Sequence, residues 1–176
     1  MLSYKQILPQ IDTFIFDVDG VLTNGEVTLY PDGSQVRVMH TKDGYAMQLA
    51  VKLGFRIFVI SGGRDPMVKQ RLLGLGVQEV ILGSKNKRED YLVLADQYGL
   101  KSENVLYMGD DIPDYNVLQM VGLGCCPRDA APEIRSIAGY ISNYKGGEGC
   151  VRDVIEQTLK VQGKWEVVGE NSIQSI

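Results

Sequence analysis

The chain is poor in the residues that build most metal, redox and secreted scaffolds. Its 176 residues include one histidine and three cysteines. Cys125, Cys126 and Cys150 are odd in number and lack metal-ligand spacing. They read as free thiols in a reducing cytoplasm, which excludes a disulfide framework. The adjacent Cys125-Cys126 is not read as a redox pair. The single histidine, His40, is not needed as an acid/base group, because carboxylates fill that role below. No apolar run is long enough to span a bilayer, and the N-terminus lacks a basic region followed by an apolar stretch. Neither a membrane span nor a signal peptide is expected. Basic residues are not in excess: the formal net charge is −4 and Lys and Arg are scattered, which speaks against nucleic acid as a partner. No Walker loop occurs, and Gly122-Leu-Gly124 is too short to carry a nucleotide argument. Repeats, low-complexity tracts and linkers are also missing, so residues 1–176 read as a single domain.

What is present is an alternation of apolar runs and helical patterns. With 44% hydrophobic and 23% charged residues the composition is that of a globular protein able to build a full core. Phe14-Ile-Phe16, Arg56–Ile60, Glu79–Leu82 and Asn104–Met108 read as buried strands of a parallel sheet. Short strands are expected at Leu123–Cys125 and Tyr140-Ile141. Helices are expected from Thr41 or Asp43 to Leu53, from Asp65 to Leu73, from Lys87 to Tyr98, from Pro113 to Val121, from Ala131 to Ile137 and from Cys150 to Gln162. Ala46, Leu49, Ala50 and Leu53 form the apolar face of the first. The pattern predicts a three-layer α/β sandwich around a parallel, Rossmann-like sheet. Two alternating stretches around Pro31-Asp-Gly-Ser34 interrupt it, a hairpin signal over about residues 26–39. The hairpin is expected to project from the sheet edge. Residues 163–176 form a mixed tail.

The chemistry gathers at strand ends. The first core strand stops at Asp17, and Asp19 and Gly20 follow at once. Paired carboxylates are costly to bury without a cation or partner, and sites in open parallel sheets form at carboxyl ends of strands. Ser61-Gly62-Gly63 follows the second strand, Lys87 opens the helix after the third, and Asp110, Asp111 and Asp114 follow the fourth. Singly, Ser61 is a cap, Lys87 a solvated helix start and Asp114 a charge at a helix N-terminus. Parallel crossovers bring all four ends to one edge, and together they make a site. Carboxylates without His or Cys point to Mg²⁺, which commonly shares itself with a phosphate. In phosphoryl transfer Asp17 would attack phosphorus. Asp19 would protonate the leaving alcohol and then deprotonate water. Ser61, the amides of Gly62 and Gly63, and Lys87 would hold phosphate oxygens. Asp110 would complete the metal site, with Asp111 beside it.

Asp17-Val-Asp19-Gly-Val-Leu-Thr23, Ser61, Lys87 and Gly109-Asp110-Asp111 resemble the four motifs of the haloacid dehalogenase superfamily of phosphatases. The chain is most similar to the family of 3-deoxy-D-manno-octulosonate 8-phosphate phosphatases, over nearly its whole length. That closer similarity includes Lys42-Asp43-Gly44-Tyr45, the helix with Arg71, Ser84-Lys-Asn-Lys87, Gly146-Gly-Glu-Gly149 and Gln162-Gly-Lys164. The resemblance implies Asp17 as nucleophile and metal ligand, Asp19 as acid/base and ligand through its backbone carbonyl, and Asp110 as the third protein ligand. It implies a sugar-acid pocket lined by His40, Thr41, Lys42, Asp43 and Gly44 with Gln48 and Arg71, where Arg71 forks a substrate carboxylate. It also implies a cytoplasmic enzyme of lipopolysaccharide sugar biosynthesis. The octulosonate enzymes commonly have Thr-Gly-Arg where this chain has Ser61-Gly62-Gly63-Arg64. Enzymes of the nine-carbon acid, 2-keto-3-deoxynononate 9-phosphate, vary at the same place and are the alternative.

Length adds one inference. Only the hairpin and one helix fit between Asp19 and Ser61, and only one helix and a strand between Lys87 and Gly109. The chain is therefore expected to be capless, its pocket closed by a neighbour. The resemblance implies a homotetramer whose hairpins join in a central barrel and whose C-terminal tails reach adjacent sites. Apolar Val27, Leu29, Val36 and Val38 fit a hairpin covered by partners. From another class, a receiver-like domain or an inactive scaffold subunit are the alternatives. The position of Asp17-Val-Asp19 on the first strand argues against the receiver.

Overall fold

The computed structural model describes residues 3–165. After a short helix α1 (Tyr4–Ile7), strand β1 (Thr13–Phe16) enters the centre of a six-stranded sheet. The other members are β4 (Arg56–Ile60), β5 (Glu79–Ile81), β6 (Val105–Met108), β7 (Leu123–Cys126) and β8 (Tyr140–Ile141). Their order is β5-β4-β1-β6-β7-β8, with every pairing parallel. Phe16 lies opposite Val59 on one side and Met108 on the other, so the strand ends that carry the candidate site are level.

Side-chain alternation splits the core into two layers. Phe14, Phe16, Ile57, Val59, Leu106 and Met108 face helices α2 (Thr41–Lys52), α3 (Pro66–Gly74) and α7 (Cys150–Val161). Ile15, Phe58, Ile60, Val105 and Tyr107 face α4 (Lys87–Tyr98), α5 (Tyr115–Leu118) and α6 (Pro132–Ile137). Apolar strands buried on both faces are what a parallel sheet requires. Val151, Val154, Ile155 and Leu159 of α7 turn inward, at helical spacing. The three-layer sandwich is therefore as expected. Between β1 and β4 stand only the hairpin and α2, so no cap domain is inserted there.

Local details differ from the sequence pattern. His40 caps α2: its Nδ1 accepts from the Lys42 amide at 3.3 Å. Thr41 and Asp43 are not the cap. The buried face of α2 runs through Asp43, Gly44, Ala46, Met47 and Ala50, while Leu53 is exposed, because α2 packs on α7 as well as on the sheet. The helix expected from Pro113 to Val121 is a 3₁₀ turn, Ile112–Asp114, followed by one α-turn ending at Leu118. The hairpin pairs only at β2 (Thr28–Leu29) and β3 (Gln35–Val36), antiparallel and exposed. The flanking alternating residues lack a second layer to bury them. The hairpin leaves from the carboxyl edge of the sheet, after β1. Of the expected tail, Gly163 to Trp165 are described, and calls on residues 166–176 lie outside the described residues.

The central strand should dominate stability. Phe14 is fully buried, with ring centroids 6.1 Å from Phe16 and 5.4 Å from Phe55. Phe14→Ala is expected to cost about 3–5 kcal/mol, read from the urea midpoint at constant m-value.

Candidate active site

Asp17 ends β1 with its amide donating to the Met108 carbonyl at 3.0 Å, so the backbone delivers it to the sheet edge. Its Oδ1 accepts from the Val18 amide at 2.6 Å, and its Oδ2 lies 2.7 Å from Lys87 Nζ. Val18–Leu22 then forms a tight turn with Gly20 at φ +83°. A Cβ on Gly20 would stand 2.0 Å from Asp110 Oδ2, so only glycine permits both this turn and the approach of the fourth strand end. The Gly146–Gly149 loop backs the turn from behind. The Gly147 amide donates to the Val21 carbonyl at 2.9 Å, and a Cβ on Gly146 would strike the Gly20 carbonyl oxygen at 2.0 Å.

Ser61 is buried past β4, and its Oγ accepts from the Gly63 amide at 3.1 Å. Lys87 is the first residue of α4, which Asn86 caps. Far from being solvated, its ammonium is buried between two carboxylates, 2.7 Å from Asp17 and 2.7 Å from Asp114.

Asp114 is the surprise. It is fully buried and accepts from four donors: Lys87 Nζ and Tyr107 Oη (2.5 Å) on Oδ1, and the amides of Asp110 (3.1 Å) and Asp111 (3.4 Å) on Oδ2. It holds the Asp110 loop and Lys87 in one network and is no helix-dipole charge. Asp111 is exposed, and its Oδ1 caps the Ile112 amide at 2.8 Å.

Asp17, Asp19, Ser61, Gly62, Gly63, Lys87 and Asp110 all line one open cleft of about 570 Å³. The expected substrate residues are not brought to it within the chain. His40 and Lys42 line a separate depression with Tyr144 and Arg152. Thr41 and Arg71 border a groove with Val36 and Val38. Asp43 is buried and accepts from the Arg152 amide at 2.7 Å, tying α2 to α7. Gly44 packs against Arg71 and Leu75. Gln48 is exposed on α2 and lines none of these cavities. Helical spacing puts Asp43, Gly44 and Met47 on the face that α7 and α3 cover, which turns the segment away from its own cleft. Arg64 likewise lies against Gly83.

The electrostatics call for a cation. Burial, then the nearby Asp114 charge, push Asp17 up to about 6, against the opposing pull of Lys87. Burial, then Asp17 and Asp114, push Asp110 up to about 7. Burial works to lower Lys87, but the charges of Asp17 and Asp114 and its bonds to both outweigh it, so it stays protonated. Asp17, Asp110 and Asp114 each place an oxygen within 4.8 Å of the others. Each Asp114 oxygen already meets two donors, whereas each Asp17 oxygen meets one, which leaves Asp17 and Asp110 as the side chains with lone pairs for an ion. An all-carboxylate set under such charge excess fits a hard divalent cation.

This fold and site define a haloacid dehalogenase-like hydrolase, and the model of that family matches residues 73–153. The relatives narrow the class. The Escherichia coli K12 3-deoxy-D-manno-octulosonate 8-phosphate phosphatase is 32% identical over 93% of this chain and 87% of its own. A Vibrio cholerae structure described as a putative phosphatase of that kind is 31% identical, with a TM-score of 0.89 over 93% of this chain and 92% of the other. The Moraxella catarrhalis enzyme, solved with magnesium, phosphate and KDO, is 30% identical, with a TM-score of 0.87 over 90% and 91%. The chain belongs to the 3-deoxy-D-manno-octulosonate 8-phosphate phosphatase family and is a phosphoric monoester hydrolase.

Two residues at the site escaped the sequence reading: Tyr107 and Arg37. Tyr107 carried a signal, a tyrosine at a buried strand position needing a partner for its hydroxyl. Arg37, which lines the hairpin groove and bonds to Asp19, carried none beyond its place between Val36 and Val38.

The raised carboxyls set a pH dependence. In metal-free protein their contribution to stability is present below the usual 3.8 and is lost as pH rises through about 6 and about 7. A cation binds the ionised forms, so the Mg²⁺-induced rise in Tm should be larger at pH 8 than at pH 5. An equal rise at both would remove the cation from this cluster.

Proposed function

We propose that the protein is a cytoplasmic, Mg²⁺-dependent phosphatase of 3-deoxy-D-manno-octulosonate 8-phosphate, acting in lipopolysaccharide sugar biosynthesis. The observation that carries the reading is the buried Asp17–Lys87–Asp114 array at the floor of a cleft that also holds Asp19, Ser61 and Asp110. The full-length relatives named for that activity support the substrate, and nothing observed favours the nine-carbon acid, a receiver or an inactive scaffold.

Asp17 is the nucleophile. One of its carboxylate oxygens attacks phosphorus as the bond from phosphorus to the sugar oxygen breaks, giving an aspartyl-phosphate. Asp19 gives its proton to the departing sugar oxygen. It then takes one from the water that attacks the aspartyl-phosphate, releasing phosphate and restoring Asp17 as the carboxylate and Asp19 as the acid. Lys87 holds Asp17 in line and neutralises phosphoryl oxygens, while Ser61 and the Gly62-Gly63 backbone border the same oxygens. Magnesium would be held by Asp17, Asp110 and the Asp19 backbone carbonyl, and would supply charge neutralisation at the phosphoryl group. Asp114 positions Lys87 and the Asp110 loop.

The capless cleft leaves the sugar exposed, which favours a homotetramer. Leu29 is 72% exposed and Val38 75%, an apolar cost that burial against partners would remove. Thr41 and Arg71 border the groove beside the hairpin, and the His40–Gly44 segment, Gln48 and Arg71 contribute to sugar recognition across a subunit interface.

Asp17→Asn should lower turnover by about 10⁴-fold or more, the scale of losing a nucleophile. A phosphate-release screen should rank the eight-carbon 8-phosphate above the nine-carbon 9-phosphate, and the reverse order would reassign the substrate. Sedimentation at micromolar concentration is expected to give a tetramer, and a pure monomer would sink the shared-site reading.

A further inference from the structure

One charged side chain from the groove beside the hairpin contacts a carboxylate of the cleft. Arg37 stands just after β3, the return strand of the hairpin. Its side chain is only 8% exposed, although β3 itself is exposed. The guanidinium makes a two-point fork on Asp19, with Nε 2.7 Å from Oδ1 and Nη2 3.2 Å from Oδ2. Nη1 lies 3.6 Å from Asp65, the carboxylate that caps α3, and Nη2 lies 3.4 Å from Gln35 Oε1. Gly63 leaves the space for this arrangement: a Cβ there would sit 3.3 Å from Asp19 Oδ2 and 3.7 Å from Arg37 Nη2. The hydrogen bond to Asp19 raises the Arg37 pKa further, so the group is always charged.

Burying a long side chain costs rotamer entropy, and burying its charge costs solvation. Arg37 bears both costs to meet one carboxylate edge-on. A planar fork fixes the plane of a carboxylate, where an ammonium fixes only a distance. Proton transfer is sensitive to that plane, because donor and acceptor must come within hydrogen-bond reach in the right direction. Each Asp19 oxygen keeps a second lone pair for the travelling proton. Asp19 follows β1 by three residues and is only half-buried, so its own backbone does little to orient it.

We propose that Arg37 is a positioning residue for Asp19, a hairpin side chain that holds the acid/base carboxylate in its working plane through a two-point fork. This rests on the reading of Asp19 as acid/base given above. The hairpin thus carries two functions at once: an apolar surface facing outward, and a guanidinium turned inward onto the chemistry.

The test compares wild type with Arg37→Ala, Arg37→Gln, Arg37→Lys and Asp19→Asn, all with Mg²⁺. Two substrates are used, 3-deoxy-D-manno-octulosonate 8-phosphate and p-nitrophenyl phosphate. For the sugar acid, Arg37→Ala should lower kcat about tenfold to a hundredfold, a part of the whole acid/base contribution, and leave KM within about threefold. Asp19→Asn should lose more. p-Nitrophenolate leaves without a proton, so only hydrolysis of the aspartyl-phosphate then needs Asp19. Arg37→Ala should therefore show a first-turnover burst of p-nitrophenolate followed by a slow steady rate. Arg37→Lys keeps the charge without the fork and should recover less than half of the lost kcat. Circular dichroism and melting check the fold, and Arg37→Gln takes the place of the alanine variant if that one unfolds. A KM rise with kcat unchanged would make Arg37 a substrate-binding group, and full rescue by lysine would make the fork irrelevant; either overturns the inference. Active wild type with an unaffected Arg37→Ala sinks the inference alone. Wild type inactive on both substrates sinks the reading of the site and the inference with it.

Discussion

A buried lysine between two buried carboxylates governs this molecule. Lys87 Nζ stands 2.7 Å from Asp17 and 2.7 Å from Asp114, and the three residues come from the first β-strand end, a helix start and a loop after β6. Such clusters give little net stability, because desolvation consumes much of the Coulomb gain. Their effect is geometric. One ammonium fixes the distance between the ends of β1 and β6 and aims Asp17 along the cleft. Tyr107 and two backbone amides complete the coordination of Asp114, so the network leaves none of its oxygens unpaired. Negative charge still exceeds positive charge at the cleft, and that excess makes the site a receptor for a cation and then for a phosphate.

Around this cluster the backbone is packed too tightly for side chains. Gly20 touches Asp110, Gly109 touches Asp114, and Gly146 touches Gly20. The distant Gly146–Gly149 loop thus belongs to the site by shape alone. It carries no group that reacts, yet it sets where the turn after Asp17 lies. The hairpin has the opposite character, with few internal bonds, exposed apolar side chains and one inward arginine. Through Arg37 it touches Asp19.

Most of the architecture was readable in advance because it rests on short-range regularities. Apolar runs of strand length suit a sheet buried on both faces, and the helix expected from Lys87 to Tyr98 has those limits. The candidate catalytic groups were readable because each directly follows a strand, where topology rather than detail decides location. Lys87 and Asp114 show the limit. Each looked like an ordinary helix-terminal charge, and burial by residues 27 positions apart made them a pair. Helix α2 shows another: its apolar spacing suggested Leu53 as inward, but the crossing with α7 rotated Asp43, Gly44 and Met47 into that role.

By itself the sequence determined the parallel sandwich, the four strand ends and the carboxylate chemistry at them, since each follows from local pattern plus parallel connection. Only the tertiary structure decided which charges pair, that Asp114 is a hub, that Arg37 reaches Asp19, and that the His40–Gly44 segment turns away from its own cleft. Those outcomes depend on distances between segments far apart in the chain, and on which of several equally charged groups loses its water. Local pattern carries no measure of either.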